Sequence, residues 1–345
     1  AVRYEHYSDF GNTFNYKLAT RVKLLPQVNL RAAASTGFRA PSIHQLYYTN
    51  INTLQINGVL QETVTFNNIS RAAKLFGIEE LQEEKSKSLS AGFALKIPKA
   101  GLSLSADAYF IRVDDRIILT EAFTHPAGNS PAENELKQIF DQANVSTVQF
   151  FSNAVDVETK GIDVVVSHSL QANKFSLNND FAFNLTQTRK VGDIHTPRAI
   201  KAAGLEEKFF SERSRVLLEE VIPRFKATLS HNLTIGKWSG YLRNTYYGKA
   251  TGPDIIAADK RIGDFEFDER GHQIFRGKVI TDLSVAYNFT PKTSLTLGVN
   301  NLLDLYPEKN VKANSNNDQF VYSRATSQFG LNGRYVFLRA TFNLF

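Results

Sequence analysis

The stretch Leu102-Ser-Leu-Ser-Ala-Asp-Ala-Tyr-Phe110 puts Leu102, Leu104, Ala106, Ala108 and Phe110 on one side and Ser103, Ser105, Asp107 and Tyr109 on the other. A period of two is strand alternation, because successive side chains of an extended chain point to opposite faces. Residues 175–186 repeat it, with Phe175, Leu177, Phe181, Phe183 and Leu185 against Ser176, Asn178, Asp180, Asn184 and Thr186; Asn179 is the exception. Similar alternation runs through 14–24, 28–36, 89–97, 162–170, 225–235, 283–289 and 295–299. Counting a last strand at 335–345, the pattern predicts about twelve strands.

The connections alternate in length. Pro26-Gln27, 98–100, 171–173, Gly236-Lys237 and 290–292 read as tight turns carrying Pro, Gly, Lys or Asn. Between them lie long polar segments at 38–84, 120–152, 189–222, 250–276 and 304–332, far longer than ordinary connections in a compact domain. Short turns at one end, long loops at the other, and strands of about ten residues with one apolar and one polar face are the pattern of a transmembrane antiparallel β-barrel. A soluble β-sandwich alternates too, but its connections are mostly short at both ends. In the barrel, the apolar face meets lipid and Arg21, Lys23, Asp107, Asp180 and Arg243 line a wet lumen. Tyr16, Trp238, Tyr246, Tyr247 and Tyr287 suit interfacial aromatic girdles. A short hairpin at 9–13 also points to the long-loop side.

Composition narrows the chemistry. The 345 residues are 42% hydrophobic, with 26 Phe and 13 Tyr but no Cys and no Met. No disulfide, thiolate metal site or catalytic thiol can exist. A chain that begins at Ala1 and lacks Met throughout reads as part of a longer one. The net charge of +6 is scattered and mixed with acids, which argues against a nucleic-acid partner. No apolar run is long enough for a transmembrane helix.

Motifs of catalysis are missing: there is no Gly-rich phosphate loop, and Gly236-Lys-Trp-Ser-Gly240 has its Ser one place late for a nucleophile elbow. The seven His, at 6, 44, 125, 168, 195, 231 and 272, are far apart and read as solvated, so no metal ligand, cofactor or catalytic residue is expected. The acidic run at Asp264, Glu266, Asp268 and Glu269 lacks calcium-loop spacing. Two helix starts are legible: Ser130-Pro-Ala-Glu133, a capping box before Leu136, Ile139 and Phe140, and Ser70 ahead of Ala72, Leu75 and Phe76. They predict small helices within surface loops.

Ser35-Thr-Gly-Phe-Arg-Ala-Pro-Ser-Ile-His-Gln-Leu-Tyr47 resembles a motif of TonB-dependent outer-membrane receptors, where a strand leaves the membrane and turns into a large loop. Glu83-Glu-Lys-Ser-Lys-Ser88 with Gly92-Phe93, the run Ala108-Tyr-Phe-Ile-Arg-Val-Asp-Asp-Arg-Ile117, Thr159-Lys-Gly-Ile-Asp163, Ile222-Pro-Arg-Phe-Lys226 and Gly298-Val-Asn-Asn-Leu-Leu-Asp304 continue the resemblance in the family's order. It implies a plugged barrel of about 22 strands, of which residues 1–345 would be the C-terminal half, the plug and first strands lying outside this sequence.

The resemblance further implies TonB-energised uptake of a scarce nutrient such as a ferric siderophore, cobalamin, haem or glycan. Partners would be that small ligand, possible metal chelates included, the TonB complex through the missing N-terminal region, and outer-membrane lipid and lipopolysaccharide. Arg39, His44, Tyr47 and Tyr48 are the candidate ligand contacts, combining cation, donor and aromatic faces at the strand-to-loop turn. Arg261, Arg270, Arg276 and Lys278 are weaker candidates for an anionic ligand or lipopolysaccharide phosphate. Two rivals remain: a smaller closed barrel acting as a passive pore, which needs 1–8 paired with 335–345, and an outer-membrane barrel enzyme. Phe345 departs from pattern, because Val336, Leu338, Ala340, Phe342 and Leu344 form the apolar set on the opposite face.

Overall fold

A computed structural model describes residues 1–8, 10–56, 59–315, 319–326 and 328–342. Twelve long strands form one meander in which each pairs with its sequence neighbours. They are β1 (Val2–Tyr7), β2 (Gly11–Leu25), β3 (Val28–Arg39), β4 (Glu84–Ile97), β5 (Leu102–Leu119) and β6 (Thr147–Ala172), then β7 (Phe175–Val191), β8 (Phe225–Ile235), β9 (Trp238–Tyr247), β10 (Lys278–Thr290), β11 (Thr293–Asn300) and β12 (Tyr335–Phe342). All these pairings are antiparallel. β1 and β12 stand at the two ends of the order, and the pairing between them that a smaller closed pore requires is not found among the described residues. Phe345 and its register lie outside those residues.

Register keeps the two faces separate across the sheet. On the apolar side Phe93 pairs with Ala106, Ala106 with Val164, Val164 with Phe183 and Phe183 with Ala227. Residues of this face are left bare: Leu18 in mid-strand is 74% exposed, and Leu24, Leu297 and Leu338 are also exposed. A soluble protein would cover such a surface, whereas lipid solvates it. Trp238 and Tyr287 meet edge to face at 4.8 Å, and Tyr287 meets Phe289 at 4.9 Å, as an interfacial girdle requires. Tyr247, in contrast to the girdle position expected of it, has Lys226 and Lys278 as register partners, with the Lys226 ammonium 5.0 Å from its ring, and so faces inward.

The inner face is polar and internally paired. Arg243 donates to Asp282 at 2.6 Å, Ser167 to Asp180 at 2.6 Å, and Asn184 to Asp163 at 2.6 Å. Tyr109 reaches across β6 to Thr186, hydroxyl to hydroxyl at 2.6 Å. The residue between them is Gly161, and any Cβ there would strike the Tyr109 ring.

The long segments are not merely polar loops. β6 begins four residues before its first pairing with β5, at Phe151, and its upper part, with Val148, Phe150, Ala154 and Val155, carries a hydrophobic core. Around it pack α2 (Arg71–Leu75), α3 (Pro131–Ala143), α4 (Arg198–Ala202) and residues Phe123, Phe209 and Phe210. Phe76 meets the Phe140 ring edge-on at 4.9 Å, and Phe123 meets Phe209 at 5.4 Å. The hairpin of Asn50–Ile56 with Val59–Phe66 adds a parallel pairing of Val64 to Val148. Both helix starts stand where the sequence puts them: the Ser130 hydroxyl accepts from the Glu133 amide while the Glu133 carboxylate accepts from the Ser130 amide at 3.0 Å, and Ser70 accepts from the Ala73 amide. They are helices within the loops, as expected, and their apolar sides face this core rather than water.

A second loop module joins the 250–276 and 304–332 segments. Three short strands, Ala250–Ile255, Glu266–Phe267 and His272–Phe275, form a small sheet. Buried Gln273 donates to Lys309 O at 2.7 Å and accepts from the Val311 amide at 3.0 Å, tying this sheet to the last long loop.

Candidate functional site

β3 ends at Arg39, and Pro41 blocks its continuation as a strand. Ser42 then starts α1 (Ile43–Tyr47) through a capping box: its hydroxyl accepts from the Gln45 amide at 3.2 Å, and the Gln45 side chain accepts from the Ser42 amide at 2.9 Å. The strand-to-loop turn is therefore a built feature, set by five consecutive residues.

Arg39 is held at this turn by two neighbours. Its guanidinium grips Glu84 of β4 in a bidentate pair, with Nε to Oε2 at 2.8 Å, and touches Gln45 at 3.4 Å. Glu84 is nearly buried and also accepts the Ile117 amide at 2.8 Å. One carboxylate thus joins the tops of β3, β4 and β5. Arg39 remains 51% exposed at its side chain, so it can also meet a ligand.

The other three candidates leave the wall. Tyr47 is 59% exposed and Tyr48 43%, with His44 also exposed. None of their side chains makes a hydrogen bond among the described residues. Together with Ile43 they form an exposed aromatic and apolar prominence on the same turn as the Arg39 clamp. α1 brings them into one neighbourhood, but Arg39 belongs to the strand tops and the other three to solvent.

The basic loop residues are committed elsewhere. Arg270 pairs with Glu212, Glu220 and Asp268, and Arg276 donates to Glu308 at 2.6 Å. Arg261 lies 5.8 Å over the Phe267 ring and donates to Ile256 O at 3.4 Å. Arg270 and Arg276 join loops through Glu212, Glu220 and Glu308, which are distant in the chain, while Arg261 is held within its own loop.

Two features of the mouth escaped the sequence reading. The first is α5 (Glu212–Glu219), which links the loop modules: Arg215 pairs with Glu212, Glu219 and Glu220, and Arg213 with Asp254 at 3.1 Å. The second is a cleft of about 500 Å³ on the inner side of the strand tops, lined by Ile117, Thr159, Thr188, Phe210, Leu218 and Ile222. Thr159 and Thr188 touch at 3.0 Å and share the polar inner face. An apolar wall with a few hydroxyls suits a small ligand. A larger depression, of about 560 Å³, is lined by Leu18, Ala32, Ala34, Leu89, Ala91 and Phe110, mostly on the apolar face, and is no place for a polar ligand.

This open meander with a bare outer face, a polar inner face and loop modules above one rim has counterparts among known proteins. A family model described as "TonB dependent receptor-like, beta-barrel" matches residues 1–302. The chain belongs to the TonB-dependent receptor β-barrel family. None of the curated proteins matches it.

Among solved structures this receptor barrel resembles a mutant of the ferric enterobactin receptor PfeA from Pseudomonas aeruginosa, at 16% identity and a TM-score of 0.61, over 99% of this chain and 41% of that one. The siderophore receptor PirA from Acinetobacter baumannii gives 14% identity and a TM-score of 0.59, over 99% and 42%. The copper transporter OprC gives 16% and 0.56, over 96% and 39%. At such identities the likeness establishes the fold. The receptor barrel chain spans about two fifths of the length of these structures. No helix among its described residues is long and apolar enough to cross a membrane.

Proposed function

We propose that residues 1–345 are the C-terminal portion of the barrel of an outer-membrane receptor that imports a scarce nutrient at the expense of TonB-transmitted energy. The supporting observation is the twelve-strand sheet whose two end strands each have one edge with no partner among the described residues, coupled with coverage of about two fifths of each neighbouring receptor. Unpaired strand edges cannot persist in lipid, which supports a reading in which further strands of the same receptor close the barrel, with the plug that the family resemblance implies. The TonB complex would act on that missing N-terminal region. The outer wall would contact lipid and lipopolysaccharide.

The ligand class this reading favours is a metal chelate, in keeping with neighbours named for ferric enterobactin, siderophore and copper. Tyr47, Tyr48 and His44 offer exposed rings and donors for first capture, with Arg39 beside them for an anionic chelate. The 500 Å³ cleft behind the strand tops offers the next resting place. No catalytic step is assigned, since movement of an intact chelate needs binding and release only.

The test is iron-limited growth of a Gram-negative host that carries the complete receptor gene as its only receptor for a panel of ferric siderophores, with and without TonB. Growth on at least one chelate, abolished without TonB and reduced about tenfold in uptake rate by Tyr47→Ala with Tyr48→Ala, is the expected result. Uptake that persists without TonB would instead identify a passive pore. Unchanged uptake in the double variant would remove the tyrosines from the ligand path.

A further inference from the structure

We propose that Asp115, Asp156 and His195 form a binding site for a divalent transition cation of the zinc class on the outside of the strand tops. The three come from separate segments: Asp115 from a bulge near the top of β5, Asp156 from β6, and His195 from the loop after β7. One donor atom from each lies within 4.8 Å of the others.

The case rests on how charge is arranged. Asp115 Oδ1 is 3.5 Å from His195 Nδ1, and Asp156 Oδ1 is 3.9 Å from His195 Nε2. A neutral imidazole carries one N–H, so it can serve only one of two flanking carboxylates, and both separations exceed a good hydrogen bond. The arrangement calls for a positive centre. Two metal–ligand bonds of about 2.0–2.2 Å at a near-tetrahedral angle hold their donors roughly 3.3–3.5 Å apart, a spacing that Asp115 and the His195 ring already have. One imidazole nitrogen serves the ion, and the third donor, an Asp156 carboxylate oxygen, lies within 4.8 Å of the other two, leaving open positions for water.

The surroundings hold the donors in place. The Asp115 amide donates to Asp156 Oδ1 at 3.0 Å, and Arg112 Nη2 donates to Asp156 Oδ2 at 3.2 Å, fixing that carboxylate from two sides. The His195 amide donates to Ala154 O at 2.8 Å, so its loop is docked on β6 before any ion binds. Asp114 and Glu158 add acids nearby against Arg112 and Lys87, leaving the neighbourhood negative. Imidazole with two carboxylates suits zinc rather than calcium, which prefers oxygen alone. Bound there, the ion staples the 192–224 loop, and with it α4 and α5, to the barrel wall. The site is separate from the proposed ligand path.

The experiment uses the complete receptor in detergent, freed of metal by chelator and then titrated with Zn²⁺ alone at neutral pH, with hydrogen exchange followed over 192–197. Binding that weakens at least tenfold in His195→Gln and in Asp115→Asn, with exchange at 192–197 slowed by zinc only in the unmodified receptor, is the expected result. Equal zinc affinity in the receptor and both variants overturns the site. So does exchange at 192–197 that zinc leaves unchanged at neutral pH in the unmodified receptor. Co²⁺ substituted for Zn²⁺ gives a visible spectrum that must disappear in His195→Gln; its persistence also overturns the assignment.

Discussion

Arg31 of β3 and Asp107 of β5 form an ion pair across an intervening strand, with Nε to Oδ1 at 2.6 Å. They touch because the residue between them on β4 is Gly92, which pairs in register with both. Ser105 also bonds Arg31, at 2.8 Å. Three strands of the inner wall are thus locked by a polar contact that needs one missing side chain.

Gly92→Ala should therefore disturb the wall although it adds one carbon, because that carbon would meet the Asp107 carboxylate and the Ala106 carbonyl. Overpacking of this kind costs about 1–3 kcal/mol. The midpoint of heat-induced gel-mobility change of the complete receptor should fall, and Asp107→Ala in the same chain should recover only the part due to the carboxylate. An unchanged midpoint for Gly92→Ala would contradict the contact.

The two faces should respond oppositely to charge. Leu18→Arg places a guanidinium on the lipid side, at a cost of about 2–4 kcal/mol if near the bilayer midplane. Ala33→Arg, which by register with Ala19 belongs to the inner face beside Arg31 and Ser35, should be tolerated. Yield of folded, heat-modifiable receptor in the outer membrane distinguishes them, and equal yields would show the faces have been misassigned.

Phe140 is fully buried among Phe76, Phe150 and Leu136 in the loop module. Phe140→Ala should destabilise that module by about 3–5 kcal/mol, while barrel assembly is retained. Limited proteolysis should then cut residues 120–146 rapidly in an otherwise folded receptor. Loss of the barrel along with the loops would mean the two fold as one unit.

Glu212 joins the loop modules through Arg215, Arg270 and fully buried His272, whose Nε2 is 3.4 Å from its carboxylate. The Arg215 guanidinium holds this carboxyl below the usual carboxylate range. A folded value below the unfolded one, about 4.3, means that the stabilisation is complete above pH 4.3 and is lost as pH falls through the lower folded value. Hydrogen exchange over 250–275 should be slow at pH 6 and accelerate below about pH 4, and Glu212→Gln should remove that dependence. An acid response unaltered by Glu212→Gln would place the titrating group elsewhere.

The wall of the barrel was legible because alternation is local: Leu102 to Phe110 declares two faces without knowledge of any other strand. The same holds for the tight turns and for Ser130, whose capping box needs only Glu133 nearby. The loop module was not legible, because Phe76, Phe123, Phe140, Phe150 and Phe209 are scattered over three segments and have no common period. The motif marks Arg39 as a residue of the strand-to-loop turn, but its Glu84 partner, 45 residues away, follows only from the register of β3 with β4.

Sequence alone therefore determined the strand pattern, the polarity of each face, which end carries long loops, and the family resemblance that residues 1–302 bear out. Tertiary structure decided what depends on residues far apart in the chain: the Arg31–Asp107 lock across Gly92, the core inside the loops, the commitment of Arg270 and Arg276, and the meeting of Asp115 and Asp156 with His195. The physical reason is that strand alternation is set by backbone geometry over a few residues, whereas a polar cluster or a core forms only when register and loop packing bring distant side chains within contact range.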